Sequence, residues 1–574
     1  MNRLAAAARG DIPADLVIHN ANVASVYTNE YELADVAVYS GVIAGIGKNY
    51  AGRVNFDAKG RALIPGMIDG HAHIESTMMS PPEFARLTAS RGTSTVMADP
   101  HEISNALGMS GLQYMFTASQ GLPVDVFFGA PSCVPASPFE TPYEELDMNA
   151  IASMFRKGYT QHLGEMMNFP AVIAGDPEVW GKILAAGDVP LTGHAPGVSG
   201  KALNAYISSG VNSDHECTTL DEAREKLSRG MWIMIREGAS FPDLKTILPM
   251  IKDNPLYAAR CMVVSDDLTA RYILERGHMD EKIRIMIREG VDPFVALRMV
   301  TLSPAEYFRL YDRGGIAPGK IADFSLLEGK VIDEGFKVKE VWKNGLQVAN
   351  DGDVFYKYEH EELAPVTKVR VKNIPSQEAL KIKAEGKYIN VIGVTEGSVI
   401  TKTLRLEAKT QDGIIIPDTE RDIAKIAVLE RHKDTGRFSA GFVQGLGIKR
   451  GAVGSSVAHD AHNFVVAGAD DESIITALKG LADLGGGLVV SEGDNLRASF
   501  ALPIGGLMSY LKGEEIAAEL ARMETEAGKF GVMIAHPFMV LSFLCLSVIP
   551  ELRITDQGYI DITKNPPLIP LFTD

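Results

Sequence analysis

The sequence of 574 residues predicts an α/β protein built around a (β/α)8 barrel (TIM barrel), with a flanking β-sandwich domain and an additional C-terminal α/β domain. Eight short apolar runs between residues 66 and 310 end in polar residues, and each precedes a segment with helical periodicity. The segments on both sides of this region alternate like β-strands. With 46% hydrophobic residues, a chain of this length is too long for one ordinary core, so two or three domains are expected.

The flanking β segments are expected to form one composite domain. Residues 1–65 contain short alternating strands separated by Gly, Asn and Asp turns. After a helix that ends near Leu310, β character returns in residues 311–360. We predict that these two segments pair as a small sandwich beside the barrel of residues 66–310.

The ends of the eight apolar runs carry most of the candidate chemistry. In a (β/α)8 barrel the carboxyl ends of all strands meet at one mouth, where active sites lie. The run ends are, in order, 69–73, 98–101, 128–132, 163–165, 192–194, 213–216, 235–237 and 264–267. Their side chains are therefore expected to converge.

The remainder of the chain predicts a linker and a third domain. Residues 359–375 are charged and contain two prolines, which is typical of a linker. A domain of mixed strands and helices is expected over residues 376–574. Its apolar stretch 538–549 falls short of the ~20 residues that span a bilayer, so it is interpreted as buried core.

Composition excludes several classes of partner. The net charge of −17 comes without a basic block, which argues against nucleic acid. The N-terminus lacks the apolar core of a signal peptide, and no stretch predicts a membrane span. The four cysteines are scattered, without a disulfide framework, so a cytoplasmic protein is expected.

The strand-end side chains predict a metal site. His71 and His73 lie two residues apart at the end of one strand, so both imidazoles face the same side. His194, His215 and Asp266 end later runs. Imidazoles and carboxylates suit Zn²⁺, Mn²⁺ or Fe²⁺. Glu165 ends the fourth run, and because a carboxylate can give one oxygen to each of two ions, two metals are expected.

One motif carries a specific resemblance. Residues 65–73, Pro-Gly-Met-Ile-Asp-Gly-His-Ala-His, resemble the first-strand signature of the amidohydrolase superfamily. Many members use a carboxylated lysine on the fourth strand, whereas this chain has Glu165, which is similar to the adenine deaminase family. The phrases at 71–76, 97–102 and 456–463 also resemble that family, so the resemblance covers nearly the whole chain.

The resemblance implies a site and a reaction. His71, His73 and Asp266 would hold one metal, His194 and His215 the other, and Glu165 would bridge them. The ions would be Mn²⁺ or Fe²⁺, with Zn²⁺ as an alternative. Adenine and water would give hypoxanthine and ammonia through attack at C6. Asp266 and Glu165 rank first as the groups that move protons.

Several assignments stay open in the sequence. Asp99, His101 and Glu102 are candidates for substrate binding, but a structural turn around Asp99 explains them equally well. His459 and His462 could bind a further metal or close over the barrel mouth, and a structural role is favoured for both. A homo-oligomer, most simply a dimer, is expected.

Two other functions compete with deamination. A hydantoinase or dihydroorotase type of cyclic-amide hydrolase would carry a lysine where Glu165 stands. A catalytically silent scaffold would have lost metal ligands, and here the whole candidate set is present. The unrelated zinc deaminase fold needs a C-x-x-C motif, which this chain lacks.

Overall fold

The computed structural model describes residues 2–239, 242–357, 371–395 and 397–573. Most of the expected linker, 359–375, lies outside these ranges. A short helix precedes five N-terminal strands. These elements are α1 (Asn2–Arg9), β1 (Ala14–Ser25), β2 (Glu30–Tyr39), β3 (Val42–Gly47), β4 (Gly52–Asp57) and β5 (Ala62–Pro65).

Eight parallel strands alternate with helices in the central segment, as predicted. The strands are β6 (Met67–Ala72), β7 (Thr93–Ala98), β8 (Asp125–Ala130), β9 (His162–Met166), β10 (Leu191–Gly193), β11 (Ser213–Asp214), β12 (Trp232–Arg236) and β13 (Cys261–Val264). The helices are α2 (Pro81–Ala89), α3 (His101–Ala118), α4 (Met148–Lys157), α5 (Phe169–Ala174), α6 (Pro177–Ala186), α7 (Gly200–Ser208), α8 (Leu220–Ser228), α9 (Leu244–Asp253), α10 (Ala270–Glu275), α11 (Met279–Arg288), α12 (Pro293–Met299) and α13 (Leu302–Tyr307). Every predicted run end therefore follows or closes a strand.

The parallel strands curl until the first and last of them meet. Strands β6 to β10 form one sheet in sequence order, and β11 to β13 form a second. Ala72 and Asp266 form a parallel bridge between the end of β6 and the segment after β13. The backbone N–H of Asp266 donates to the carbonyl oxygen of His71 at 3.0 Å. The side chains that follow these strands are consequently brought to one end of the segment.

The strands after the central segment pair with the N-terminal strands, as predicted. They are β14 (Phe324–Leu327), β15 (Val338–Lys343), β16 (Leu346–Asn350) and β17 (Asp353–Val354). Strand β14 pairs antiparallel with β5, with Phe324 opposite Pro65. Because this pairing joins the two groups, the nine strands form one continuous sheet, and the small sandwich that we expected here stays a prediction.

The C-terminal segment is mixed α/β. Its strands are β18 (Ile382–Lys383), β19 (Tyr388–Gly393), β20 (Lys402–Glu407), β21 (Thr410–Gln411), β22 (Ile414–Ile415), β23 (Ile423–Leu429), β24 (Phe438–Gln444), β25 (Ala452–Ser455), β26 (Phe464–Gly468), β27 (Gly487–Glu492), β28 (Asn495–Ala501), β29 (Leu552–Thr555), β30 (Gly558–Asp561), β31 (Leu568–Ile569) and β32 (Phe572–Thr573). Its helices are α14 (Asp471–Leu484), α15 (Gly513–Gly528) and α16 (Pro537–Phe543). Nine of these strands form one sheet.

Helix α16 lies in the apolar stretch 538–549, and most of that stretch is buried, as expected for core. Among the described residues, no helix combines the length and apolar character that crossing a membrane requires.

Candidate metal centre

The end of β6 brings two histidines together. His71 and His73 are buried, and their Nε2 atoms lie 3.1 Å apart. The Nδ1–H of His73 donates to the carbonyl oxygen of Asp99 at 3.1 Å. In the neutral ring that a cation would require, this hydrogen bond selects the tautomer in which Nε2 keeps its lone pair. His73 is thus prepared as a ligand on the side that faces His71.

Glu165, at the end of β9, separates the donors into two groups. One carboxylate oxygen, Oε1, lies 3.3 Å from His73 Nε2 and 3.8 Å from His71 Nε2. The other, Oε2, lies 3.0 Å from His194 Nδ1 and 3.2 Å from His215 Nε2. A carboxylate that gives one oxygen to each of two cations needs this arrangement.

Asp266 joins the first group. Its Oδ1 lies 3.2 Å from His73 Nε2 and 3.6 Å from His71 Nε2. Its Oδ2 lies 3.3 Å from Nη1 of Arg236, a strand-end residue of β12 that also pairs with Glu216. The backbone of Asp266 has a φ of 54°, a conformation that aspartate tolerates better than most residues. The turn therefore holds this carboxylate against the end of β6.

The chemistry of the donor set fits divalent cations. The Nε2 atoms of His71 and His73 lie 3.1 Å apart, and at most one of them can donate a hydrogen bond to the other. Burial alone would raise the pKa of Glu165, but the charge of His215 and hydrogen bonds from His194, His215 and His73 hold it well below its ordinary value. Burial lowers the pKa of His215, and the charge of Glu165 reverses this effect and raises it to about 9. The buried carboxylates thus require positive charge beside them, which protons or cations can supply.

Asp99 lies behind Glu165. One of its oxygens accepts the backbone N–H of Glu165 at 2.6 Å, and the other lies 3.3 Å from His101 Nδ1. A Cβ atom at position 164 would lie 2.5 Å from Asp99, so glycine is required there. Asp99 does not line the cavity at the strand ends. Asp99 therefore positions Glu165 and His101, and its contact with a substrate stays a prediction.

A buried ion pair supports the second group of donors. Lys226 donates to Asp214 at 2.9 Å and to the carbonyl oxygen of Ala195 at 2.6 Å, and both charged side chains are fully buried. Asp214 also accepts the backbone N–H of Ala195 at 2.7 Å. Asp214 precedes His215 and Ala195 follows His194. The pair therefore ties together the two loops that carry these histidines.

We expect Lys226→Met to lower the free energy of unfolding of the metal-free protein by about 3–5 kcal/mol, because the Asp214 carboxylate would stay buried without its cation. Burial raises the pKa of Asp214, but the charge of Lys226 outweighs burial and holds it at about 2. A carboxylate with a depressed pKa stabilises the fold at pH values above its unfolded pKa. The wild type should lose this contribution as pH falls from about 4 to 2. Denaturant unfolding at pH 7 measures the difference, with the exposed Lys201→Met as control; equal midpoints would contradict the prediction.

The donors open into a cavity at the strand ends. His101 and Glu102 line it together with five of the six candidate ligands. His101 Nδ1 lies 3.6 Å from Glu165 Oε1, and Glu102 Oε1 accepts a hydrogen bond from Ser76 at 3.2 Å. His71 is the candidate ligand that does not reach the lining. Its Nε2 nevertheless lies 3.1 Å from His73 Nε2 and 3.6 Å from Asp266 Oδ1, so His71 belongs to the first group of donors.

Several lining residues were missed by sequence reasoning. Glu216, Arg236 and Asp267 stand within the quoted strand ends, so that signal was present but unused. His459 and Asp460 line the cavity from the C-terminal segment, although the sequence favoured a structural role for His459. The remaining lining residues carry no chemical signal and could be found only from the tertiary structure: Met167, Val399, Phe543, Leu546 and Ile549.

The comparisons with known proteins agree with this geometry. Residues 62–348 match the model of the amidohydrolase family, and residues 398–566 match the adenine deaminase C-terminal domain. The chain is 43% identical over 558 residues to "Adenine deaminase 2" of Carboxydothermus hydrogenoformans, covering 97% of each chain. It is 43% identical to an adenine deaminase of Desulfatibacillum aliphaticivorans and 41% identical to one of Dehalococcoides mccartyi, covering 98% of each chain in both cases.

The matches span both the central and the C-terminal segments, and the relatives align along almost their whole length. The chain belongs to the adenine deaminase family of the amidohydrolases.

Proposed function

We propose that this protein converts adenine and water to hypoxanthine and ammonia at the Glu165-centred site. The observation that carries the proposal is the position of Glu165, with one oxygen facing His71 and His73 and the other facing His194 and His215. The adenine deaminase relatives, which align over nearly the full chain, support the choice of substrate.

The residues support a centre for two divalent cations. His71, His73 and Asp266 would hold one cation, His194 and His215 the other, and Glu165 would bridge them. The site carries the imidazole and carboxylate donors that suit Mn²⁺ and Fe²⁺, with Zn²⁺ as an alternative. When bound, the two cations would supply a water molecule acidic enough to attack at neutral pH.

The protein's own groups would move the protons. Attack of water at C6 forms a C–O bond and a tetrahedral carbon, and Asp266 accepts the proton that the water loses. Asp266 would pass that proton to the ring nitrogen N1. The oxygen on C6 then loses the second proton of the water as it becomes the carbonyl of hypoxanthine, and Asp266 or Glu165 would carry this proton to the amino group. The C6–N bond then breaks, and ammonia leaves. Arg236, which pairs with Asp266 and Glu216, would hold the Asp266 carboxylate in place.

Six carboxylates line the cavity, and Arg236 is the one lysine or arginine among the described lining residues. A hydantoinase or dihydroorotase type of cyclic-amide hydrolase would carry a lysine where Glu165 stands, so that alternative is disfavoured. A silent scaffold is also disfavoured, because the six candidate ligands converge.

We further propose that the two parallel sheets close into a single (β/α)8 barrel over residues 66–310. The bridge between Ala72 and Asp266 supports closure at one seam, and β10 packs beside β11 at the other. The proposed neighbours are the composite β domain of residues 1–65 and 311–360 and a C-terminal domain of residues 376–574. A homodimer stays a prediction, which sedimentation of the purified protein would test.

The proposed reaction is tested by ammonia release. The protein would be reconstituted with Mn²⁺ under protection from oxygen and offered adenine, adenosine, cytosine and a hydantoin in parallel. We expect ammonia from adenine, with stoichiometric hypoxanthine. Opening of the hydantoin ring without adenine turnover would assign the protein to the cyclic-amide hydrolases. Silence on all four substrates with two metals bound would favour the scaffold.

A further inference from the structure

The C-terminal segment reaches the cavity through the turn of residues 456–463, which joins β25 to β26. Its polar side chains are buried: His459 is 6% exposed, Asp460 2% and His462 0%. Burying so many polar groups lowers the stability of the fold unless they have hydrogen-bonding partners, and it is otherwise typical of a functional site. Of these three, His459 and Asp460 line the cavity beside the candidate metal ligands.

Asp460 contacts an imidazole from each side of the cavity. Its Oδ1 lies 3.6 Å from His101 Nε2 in the central segment and 3.6 Å from His459 Nδ1 in its own turn. The other ring nitrogen of His101 lies 3.3 Å from Asp99 and 3.6 Å from Glu165. His101 therefore links Asp460 to the carboxylate at the centre of the site. Among the described residues, Oδ2 of Asp460 is buried without a hydrogen-bond partner.

His459 continues this wall. Its Nδ1 lies 3.4 Å from Glu102 Oε1, and the ring of Phe543 stacks on it with centroids 4.7 Å apart and planes at 23°. Leu546 and Ile549 line the same cavity. An apolar, aromatic wall beside polar groups fits a flat heterocycle, which packs its face against the wall and hydrogen-bonds along its edge.

The 456–463 turn is held in place independently of any ligand. The backbone N–H of His459 donates to Ser542 at 3.3 Å, and that of Ala458 donates to His462 Nδ1 at 3.1 Å. Asn463 donates to the carbonyl oxygen of Thr141, in a loop of the central segment, at 3.1 Å. The turn is thus fixed to both segments, and its side chains are organised before a substrate arrives.

We propose that Asp460 is a positioning residue for the purine: through Nδ1 it orients His459 so that the Nε2–H of that ring meets an acceptor nitrogen of the purine, and through Nε2 it holds His101 against Glu165. The inference rests on the proposed function and extends it, because it assigns part of substrate recognition to the C-terminal segment. Removing the charge of Asp460 should loosen both imidazoles without removing any candidate metal ligand.

The test is a double-mutant cycle between Asp460→Asn and His459→Gln. In the wild-type background, Asp460→Asn should raise KM for adenine about 10- to 100-fold, the factor expected when one hydrogen bond from a charged group is lost. In the His459→Gln background the same change should alter kcat/KM less than about twofold, because coupled residues are not additive. Metal content should stay that of the wild type. The matched control is Asp470→Asn. Asp470 lies outside the cavity, and asparagine at this position can still cap the N-terminus of α14.

Binding of unsubstituted purine, measured by calorimetry, separates this inference from the proposed reaction. Weaker binding to Asp460→Asn than to Asp470→Asn supports the positioning role even if the wild type does not deaminate adenine. Asp460→Glu, which keeps the charge, should recover part of the affinity and serves if Asp460→Asn does not fold. Equal purine binding by wild type and Asp460→Asn, additive effects in the cycle, or metal loss that parallels the loss of activity would overturn the proposal.

Discussion

Replacing Glu165 with glutamine is expected to lower kcat/KM for adenine by at least about 10³-fold, the scale on which a preorganised charge stabilises a transition state. Glutamine has nearly the same shape as glutamate but offers only one oxygen and no charge. Both oxygens of Glu165 face imidazoles. Oε1 lies 3.3 Å from His73 Nε2, and Oε2 lies 3.0 Å from His194 Nδ1 and 3.2 Å from His215 Nε2. The neutral amide of glutamine cannot give an oxygen to a cation in each group of donors. The bound metal should therefore fall from two ions per chain toward one.

Metal analysis and steady-state kinetics on the same preparation test this prediction. The control is Glu178→Gln, an exposed glutamate in the first turn of α6, which should behave like the wild type. Full metal occupancy with unchanged kcat/KM in Glu165→Gln would refute the bridging role. Full occupancy with low activity would mean that Glu165 acts on protons and does not hold metal.

The strand-end pattern predicted the centre of the site well, and physical reasons explain why. Parallel strands carry their carboxyl ends to one side, so residues that are distant in sequence, such as His71 and His215, meet once the alternation of strands and helices is recognised. Their rings stack with centroids 4.2 Å apart. The same pattern correctly placed Glu165 between the two groups of donors.

The side of the cavity formed by the C-terminal segment could not be predicted in the same way. Phe543 and Leu546 are ordinary apolar residues of a buried stretch, and nothing in their spacing separates a cavity wall from core. His459 and Asp460 were visible as polar residues, but only the packing of the 456–463 turn against residues 99–102 gives them a role. Asp99 could not be assigned from sequence either, because a strand-end carboxylate can support a ligand from behind as well as face a substrate.

Asp266→Asn should lower kcat for adenine about 10²- to 10⁴-fold, the contribution expected of a general acid–base group. Burial alone would raise the pKa of Asp266, but hydrogen bonds from His71 and His73 and the charge of Arg236 hold it well below its ordinary value. The wild-type carboxylate is therefore ionised at neutral pH, as a group that accepts a proton must be. Asparagine keeps an oxygen that can face His73 but cannot accept a proton from water.

The measurement is kcat and KM over a range of Mn²⁺ concentrations, with metal content determined in parallel. Asp253→Asn, a surface carboxylate paired with Arg224, is the control and should match the wild type. If Asp266 moves the proton, kcat of Asp266→Asn stays low when the metal sites are saturated, and KM changes little. Recovery of wild-type kcat at high Mn²⁺ would instead make Asp266 a ligand alone. Glu165, which contacts both groups of donors, would then be the remaining candidate for proton transfer.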